Sequence, residues 1–334
     1  MLTASDLIHL PYTRDLTEGG IAYALHALPH RYHRIGSSPY EPLRRLVAGA
    51  MVELAFRRYL SEQNISFEVK GAAPFTEPDR YDVMLAGQRC DLKSFLISHR
   101  DQIAEMQRNP QTVLRAPALV PSDLHAGEGH GGHDLYLFAF LSGLVTLSQS
   151  DLGKVIETRQ PYYLLHVMPE AWKRPSKWSP LGKLALKSEA EEKVMIEIGG
   201  QAAGRELRSC TLELPPQRRL EVEPGFFSLS YIHIQSLPNA RIGIHSSARQ
   251  ETHLIGPLDW GNIWVYGIDV LLAGYMTREE FGRHASFVAA GSRVFQYDHT
   301  HVKNLAVPVS ELKPLLELFE RVKAWSSQTT RKCL

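Results

Sequence analysis

A chain of 334 residues has room for two domains at the usual ~100–200 residues each, and 44% hydrophobic with 22% charged residues is the balance of a chain that buries a core. A formal net charge of +1, with 24 glycines and 20 prolines scattered without a period, excludes collagen-like, coiled-coil and low-complexity architectures. It makes no global electrostatic case for nucleic acid or a membrane, although a local basic groove is compatible with it. Cys90, Cys210 and Cys333 form no CxxC pair, so neither a disulfide framework nor a cysteine zinc site is expected, and a reducing, cytoplasmic setting is. The longest apolar run, Leu135 to Leu147, falls short of the ~18 residues of a spanning helix, and the N-terminus lacks the pattern of a secretory signal, so no membrane association is expected.

In chain order, residues 1–37 read as an irregular segment rich in His26, His30, Arg31, His33 and Arg34. Ser38-Pro39-Tyr40-Glu41 then offers a capping serine, a proline at the first helical position and a glutamate three residues on. Leu43, Leu46, Val47, Ala50, Met51 and Leu54 follow at helical spacing, which predicts a helix to about Gln63. Ile65 to Lys70 alternates like a strand, and Tyr81–Leu85 and Arg89–Phe95 are predicted to pair as a hairpin across the short Ala86-Gly87-Gln88 link. A helix is predicted over His99–Arg115 with a break near Asn109-Pro110, then a glycine- and histidine-rich loop, then a buried strand from Asp134. From about Lys183 short alternating segments with Gly/Pro punctuation predict a β-rich subdomain. Helices are predicted over Ile268–Ala273, Thr277–Ala285 and Glu311–Trp325, with a strand at Asn304–Val309 before the last. The expected division is 1–37, an α/β core at 38–167, a β-rich insert at 168–260 and an α/β segment at 261–334 that packs back on the core.

The chemistry gathers in Glu77-Pro78-Asp79-Arg80-Tyr81-Asp82 and the strand after it. Asp91 and Lys93 are two apart on a strand and share a face, with Cys90 and Leu92 on the other. Asp82 opens the partner strand and is expected close to Asp91. Two carboxylates held together by a sheet are costly without a cation and suit a hard divalent metal. A lysine beside them is suited to positioning a water and stabilising negative charge on a phosphodiester. Glu53 falls on or beside the apolar stripe of the first helix, where a carboxylate wants a partner.

Glu53 on a leading helix, then Asp82, then Asp91-x-Lys93 on the next strand resembles the PD-(D/E)xK, or restriction-endonuclease-like, nuclease superfamily over roughly residues 38–142. Pro78-Asp79 is a second candidate for the first acid. Asp82 is preferred because it leads directly into an apolar strand. The resemblance implies a central mixed sheet flanked by helices, Mg²⁺ (with Mn²⁺ able to substitute) on Asp82, Asp91 and Glu53, and Lys93 assisting the attacking water. It implies a metal-dependent DNA endonuclease, with prokaryotic defence by restriction as the expected setting and a homodimer as the expected state. The competing expectation is a catalytically silent scaffold of the same kind that binds DNA or a partner protein; a third is a β-domain binding protein in which the Asp/Lys hairpin is incidental.

Two further stretches are candidates. His125, His130 and His133 in the glycine-rich loop are a candidate second site, for metal or for substrate contact, although their spacing matches no zinc signature. Trp172, Lys173, Arg174, Lys177 and Trp178 interleave cations with indoles, the logic of nucleic-acid contact, and read equally as a linker anchored by its tryptophans. Arg44, Arg45, Arg57 and Arg58 are expected to face solvent, and Trp260–Tyr266 to serve packing. No phosphate-binding loop, HExxH or GxSxG is present, so nucleotide hydrolysis, zincin and serine-hydrolase chemistry lose their usual anchors.

Overall fold

The computed structural model describes residues 2–30, 38–69, 82–127 and 131–332, the side chains of 325–332 excepted. The expectations resting on Arg31, His33, Arg34, Asp79 and His130 lie outside the described residues. The elements run β1 (Ile8–Pro11), α1 (Arg14–Ala27), α2 (Tyr40–Glu62), β2 (Val83–Leu85), β3 (Gln88–Ile97), α3 (Arg100–Arg108), α4 (Gln111–Leu114), β4 (Pro117–Pro121), α5 (Ser122–Ala126) and β5 (Leu135–Val145). Next come α6 (Gln149–Glu157), β6 (Leu164–Val167), α7 (Glu170–Lys173), β7 (Leu184–Ser188), β8 (Val194–Gln201), β9 (Leu207–Leu214) and β10 (Arg219–Val222). The chain continues through β11 (Ser228–Ile234), β12 (Ile242–Ser246), β13 (Glu251–Ile255) and β14 (Gly261–Asn262). It ends with β15 (Val265–Thr277), α8 (Arg278–His284), β16 (Ser286–Val288), β17 (Asn304–Pro308) and α9 (Leu315–Lys332). This mixed α/β chain groups into two compact units, residues 1–20, 48–144 and 265–334 in the first and 21–47 and 145–264 in the second.

The first unit is built on a five-stranded sheet of order β1-β15-β5-β3-β2. β2 and β3 form the predicted hairpin, and its two-residue turn has Ala86 at φ 49° and Gly87 at φ 79°, the left-handed pair that a tight hairpin requires. β3 then runs parallel to β5 through a crossover that contains α3 and α4, broken at Asn109-Pro110 as the sequence predicts. β5 is buried along nearly its whole length, as expected of a strand between two neighbours with both faces covered. Phe95, Ile97, Tyr136, Phe138 and Phe140 share one core with Met106 and Val113 from α3 and α4 and with Phe281 from α8. α2 stops at Asn64, in the left-handed region at φ 54°, where Ile65 N–H closes back on the Leu60 carbonyl at 2.9 Å.

Several expectations are corrected. The N-terminal segment is not irregular: β1 pairs antiparallel with β15, and α1 follows. The Gly19-Gly20 pair hides that helix in the sequence, because glycine weakens helices. Its reason is spatial, since a Cβ on Gly19 would stand 2.6 Å from Leu54 Cδ1 of α2. The stretch from Ile65 contributes only a single bridge, Glu68 to Met84, instead of a full strand. Ile268–Ala273 is not helical but part of β15, whose Val270–Met276 are buried on both faces and so carry no alternation to distinguish strand from helix. The second unit holds two antiparallel sheets, β14-β6-β11-β8-β9 and β10-β7-β12-β13, which share one apolar core that includes Leu164, Leu186, Ile198, Ile232, Ile244 and Ile255. Arg44, expected in solvent, is buried there and donates from Nε to the Asn262 carbonyl at 2.9 Å. Trp260 and Trp264 are buried as expected. Among the described residues no helix is long and apolar enough to cross a membrane.

Candidate functional site

The hairpin register brings the predicted acids together. Val83 pairs with Cys90, and the Asp82 N–H also donates to the Cys90 carbonyl at 3.0 Å, so the ladder breaks at a bulge-like step just before Asp91. Asp82 Oδ2 accepts the Leu92 backbone N–H at 2.6 Å, which holds the carboxyl over the stretch of β3 between Asp91 and Lys93. Lys93 Nζ sits 2.6 Å from Asp91 Oδ2, with the two side chains 17% and 27% exposed. The same ammonium lies 5.8 Å from the centre of the Tyr136 ring, on the neighbouring strand, where Tyr136 is in register with Asp91.

Glu53 arrives from α2. It is paired with Arg57 one turn on, and an Arg57 nitrogen lies 3.5 Å from the Asp82 carbonyl. Gly49, one turn before Glu53, faces Ser94 Oγ, 3.5 Å from where its Cβ would be. Ser94 is on the face of β3 opposite to Asp91 and Lys93 by strand alternation. Glu53 is near enough for its charge to act on the Asp82 carboxyl. Burial, then the Asp91 charge, then the Glu53 charge push the Asp82 carboxyl up to about 7, against the opposing pull of the Leu92 N–H and Lys93.

Such a site stores an electrostatic cost that a cation would remove. Its donors are carboxylate oxygens, the ligands of a hard divalent ion. Among the described residues no three His, Cys, Asp or Glu side chains close into a metal cluster. The residues that could hold such an ion are Asp82 and Asp91, and one or two carboxylates is the number that commonly holds Mg²⁺ together with substrate phosphates. The charge cost is measurable. A carboxyl whose folded value lies above its unfolded value favours the fold while protonated; that contribution is complete below about pH 4 and is lost as the pH rises through about 7. Asp82→Asn is therefore expected to be more stable than wild type by about 2–4 kcal/mol at pH 8, with the gap closing by pH 4, in urea denaturation at the two pH values.

The remaining candidates divide. His125 Nδ1 is 3.2 Å from the Tyr136 hydroxyl, which places this histidine two contacts from Lys93. His133 is exposed, His130 is outside the described residues, and the described histidines of the loop form no metal cluster. In the tryptophan segment the expectation of nucleic-acid contact is corrected for two residues. Trp172 is fully buried with its indole N–H on Glu251 Oε1 at 2.9 Å, and Lys173 is 2% exposed with Nζ 2.9 Å from Glu170 Oε2. Arg174 turns inward to the Pro29 carbonyl, 3.0 Å from Nε. Lys177 stays exposed, and Trp178 is half-buried between Phe227 and the Arg205 guanidinium.

Two residues near the hairpin escape sequence reasoning. Tyr136 is buried, with its hydroxyl pushed up to about 12, chiefly by burial. Arg278, also buried, opens α8 and donates to the backbone carbonyls of Leu124, His125 and Gly127, clamping the segment that carries His125. A tyrosine directly after the predicted start of a buried strand was the only signal for the first. Nothing local marked the second. Comparison with models of known protein families, with curated proteins and with solved structures finds no match.

Proposed function

We propose that the first unit hydrolyses DNA phosphodiester bonds with Mg²⁺ or Mn²⁺, as an endonuclease of the PD-(D/E)xK kind, in the setting of restriction of foreign DNA. The observation that carries the reading is the Asp82 carboxyl, raised to about 7 beside a second aspartate and a lysine on adjacent strands. The order of helix α2, hairpin β2–β3, helices α3 and α4 and parallel strand β5 supports it as well, because the resemblance implies that succession.

In this reading Asp82 and Asp91 hold the ion, with Glu53 completing the negative field once Arg57 yields it. Bound there, Mg²⁺ supplies Lewis-acid stabilisation of the phosphate and makes a nearby water more acidic. Lys93 leaves Asp91 for the substrate, donates from Nζ to orient the attacking water and offsets the charge that builds on the phosphate. The Tyr136 ring face keeps the ammonium at the rim of the site.

The Glu53–Arg57 and Asp91–Lys93 pairs, which neutralise half of the machinery internally, favour a second reading, a silent scaffold that binds DNA or a partner protein without cutting. One assay separates them. Supercoiled plasmid and labelled single- and double-stranded DNA are incubated with the protein in Mg²⁺, in Mn²⁺ and in EDTA. Cutting in either metal that stops in EDTA and in Asp91→Ala is the expected result. Duplex binding by gel shift with every substrate left intact selects the scaffold.

A further inference from the structure

The facing sides of the two sheets in the second unit are mostly apolar, with buried serines such as Ser188 and Ser246 and one pair of imidazoles among the exceptions. His166 shares the inward face of β6 with Leu164 and is in register with the core residue Ile232. His253 shares the inward face of β13 with the core residue Ile255. The two imidazoles meet between the sheets with their Nε2 atoms 2.9 Å apart. His166 Nδ1 is 3.0 Å from the Asp259 carbonyl, which only accepts, so Nδ1 carries a proton. In the neutral ring Nε2 is then the acceptor, and His253 Nε2–H must be the donor. One proton lies between the rings.

That arrangement has a charge limit. His253 can take a second proton on Nδ1 and still donate from Nε2. His166 cannot, because two N–H groups would then face each other across 2.9 Å with no acceptor between them. The groups around the pair are few. The Asp259 carboxylate is occupied by the Gly256 N–H at 2.7 Å, and the Asp259 carbonyl also takes the Tyr40 hydroxyl at 2.5 Å. On β13, Glu251 is held by the Trp172 indole and by Arg249, 3.1 Å away. The Trp260 ring stands edge-on to His166 at 5.9 Å. Asp259 and, for His253, Glu251 draw protons toward the pair, yet burial outweighs them and holds both imidazoles below their usual value.

We propose that His166 and His253 form a proton-operated clasp between the two sheets, closed while the pair carries at most one positive charge and released when both rings are protonated. β13 is the edge strand of its sheet, paired to β12 alone, so it is the element free to move when the clasp opens. Below the ordinary histidine value of ~6.5 an open pair takes at least one proton more than a closed one, so the opening constant rises at least about tenfold per pH unit there.

The test uses the full chain. Hydrogen exchange of the β13 amides, followed by mass spectrometry from pH 7.5 to 5 and corrected for intrinsic exchange, is expected to rise at least about tenfold per pH unit below about pH 6.5. In His253→Gln the amide donates to or accepts from His166 as needed, so the dependence is expected to flatten while β13 stays protected. An unchanged slope in His253→Gln, or a flat wild-type profile, overturns the clasp. Should the variant not fold, the wild-type imidazole Cε1–H resonances decide: both rings gaining protons while β13 protection holds steady would also overturn it.

Discussion

Lys93→Ala is expected to slow metal-dependent DNA cleavage by about 10²–10⁴-fold while destabilising the fold by about 1–3 kcal/mol. The asymmetry follows from its surroundings. The Asp91–Lys93 pair is mostly shielded, with side chains 17% and 27% exposed, so its loss leaves Asp91 beside Asp82 without that counter-charge and costs the fold a modest amount. In the proposed reaction the same ammonium is the side-chain cation paired with Asp91. Lys93→Arg sharpens the test, because it restores the charge but replaces a compact rotating donor with a planar fork over the Tyr136 ring. If Lys93 served only as a counter-charge for Asp91, arginine would restore cleavage; if it orients a water, arginine is expected to leave most of the loss in place. Initial rates on plasmid in Mg²⁺, with urea denaturation alongside, measure both. A Lys93→Ala rate within a few-fold of wild type would mean that the reacting centre lies elsewhere.

The largest stability effect is expected away from that hairpin. Trp172→Ala is expected to destabilise the protein by about 3–5 kcal/mol, since the ring is fully buried in the core of the second unit. The loss also strips the Glu251 carboxylate of its indole donor and leaves the Arg249 guanidinium without the ring face it covers at 5.2 Å. Trp178→Ala, at a half-buried ring that packs on Phe227 and donates to the Ala203 carbonyl, is expected to cost less, about 1–2 kcal/mol. Denaturant melts of the two variants check this directly. Duplex binding by fluorescence anisotropy adds a second comparison, because any nucleic-acid contact made by this segment must rest on Lys177 and Trp178.

The hairpin was legible because its signals are local. Alternation puts Asp91 and Lys93 on one face, Ala86-Gly87 accepts the left-handed turn, and the hairpin brings Asp82 onto β3, where its carboxyl accepts the Leu92 N–H. Glu53 was legible as an inward carboxylate, and Arg57 four residues on is the partner that helical spacing would supply. What stayed hidden depends on distant chain. Tyr136 gains its meaning only when β5 docks in register on β3, and Arg278 only when α8 meets the carbonyls of 124–127. β15 was misread because a strand covered on both faces has no period. The tryptophan segment misled because an indole followed by cations reads alike on a surface and in a core; burial of Lys173 against Glu170 is a tertiary outcome with no spacing that announces it.

The order of the central sheet bears on how the protein is made. β5, with its run of Leu135, Tyr136, Leu137, Phe138, Ala139, Phe140 and Leu141, lies between β3, which precedes it, and β15, which begins at Val265. At ribosomal rates of about 5–20 residues per second, the roughly 120 residues from the end of β5 to the start of β15 take about 6–24 s to emerge. Throughout that interval the most apolar strand of the chain presents an open hydrogen-bonding edge to its surroundings. The nascent chain therefore carries an unpaired, apolar strand edge while the whole β-rich stretch between the two strands is being translated.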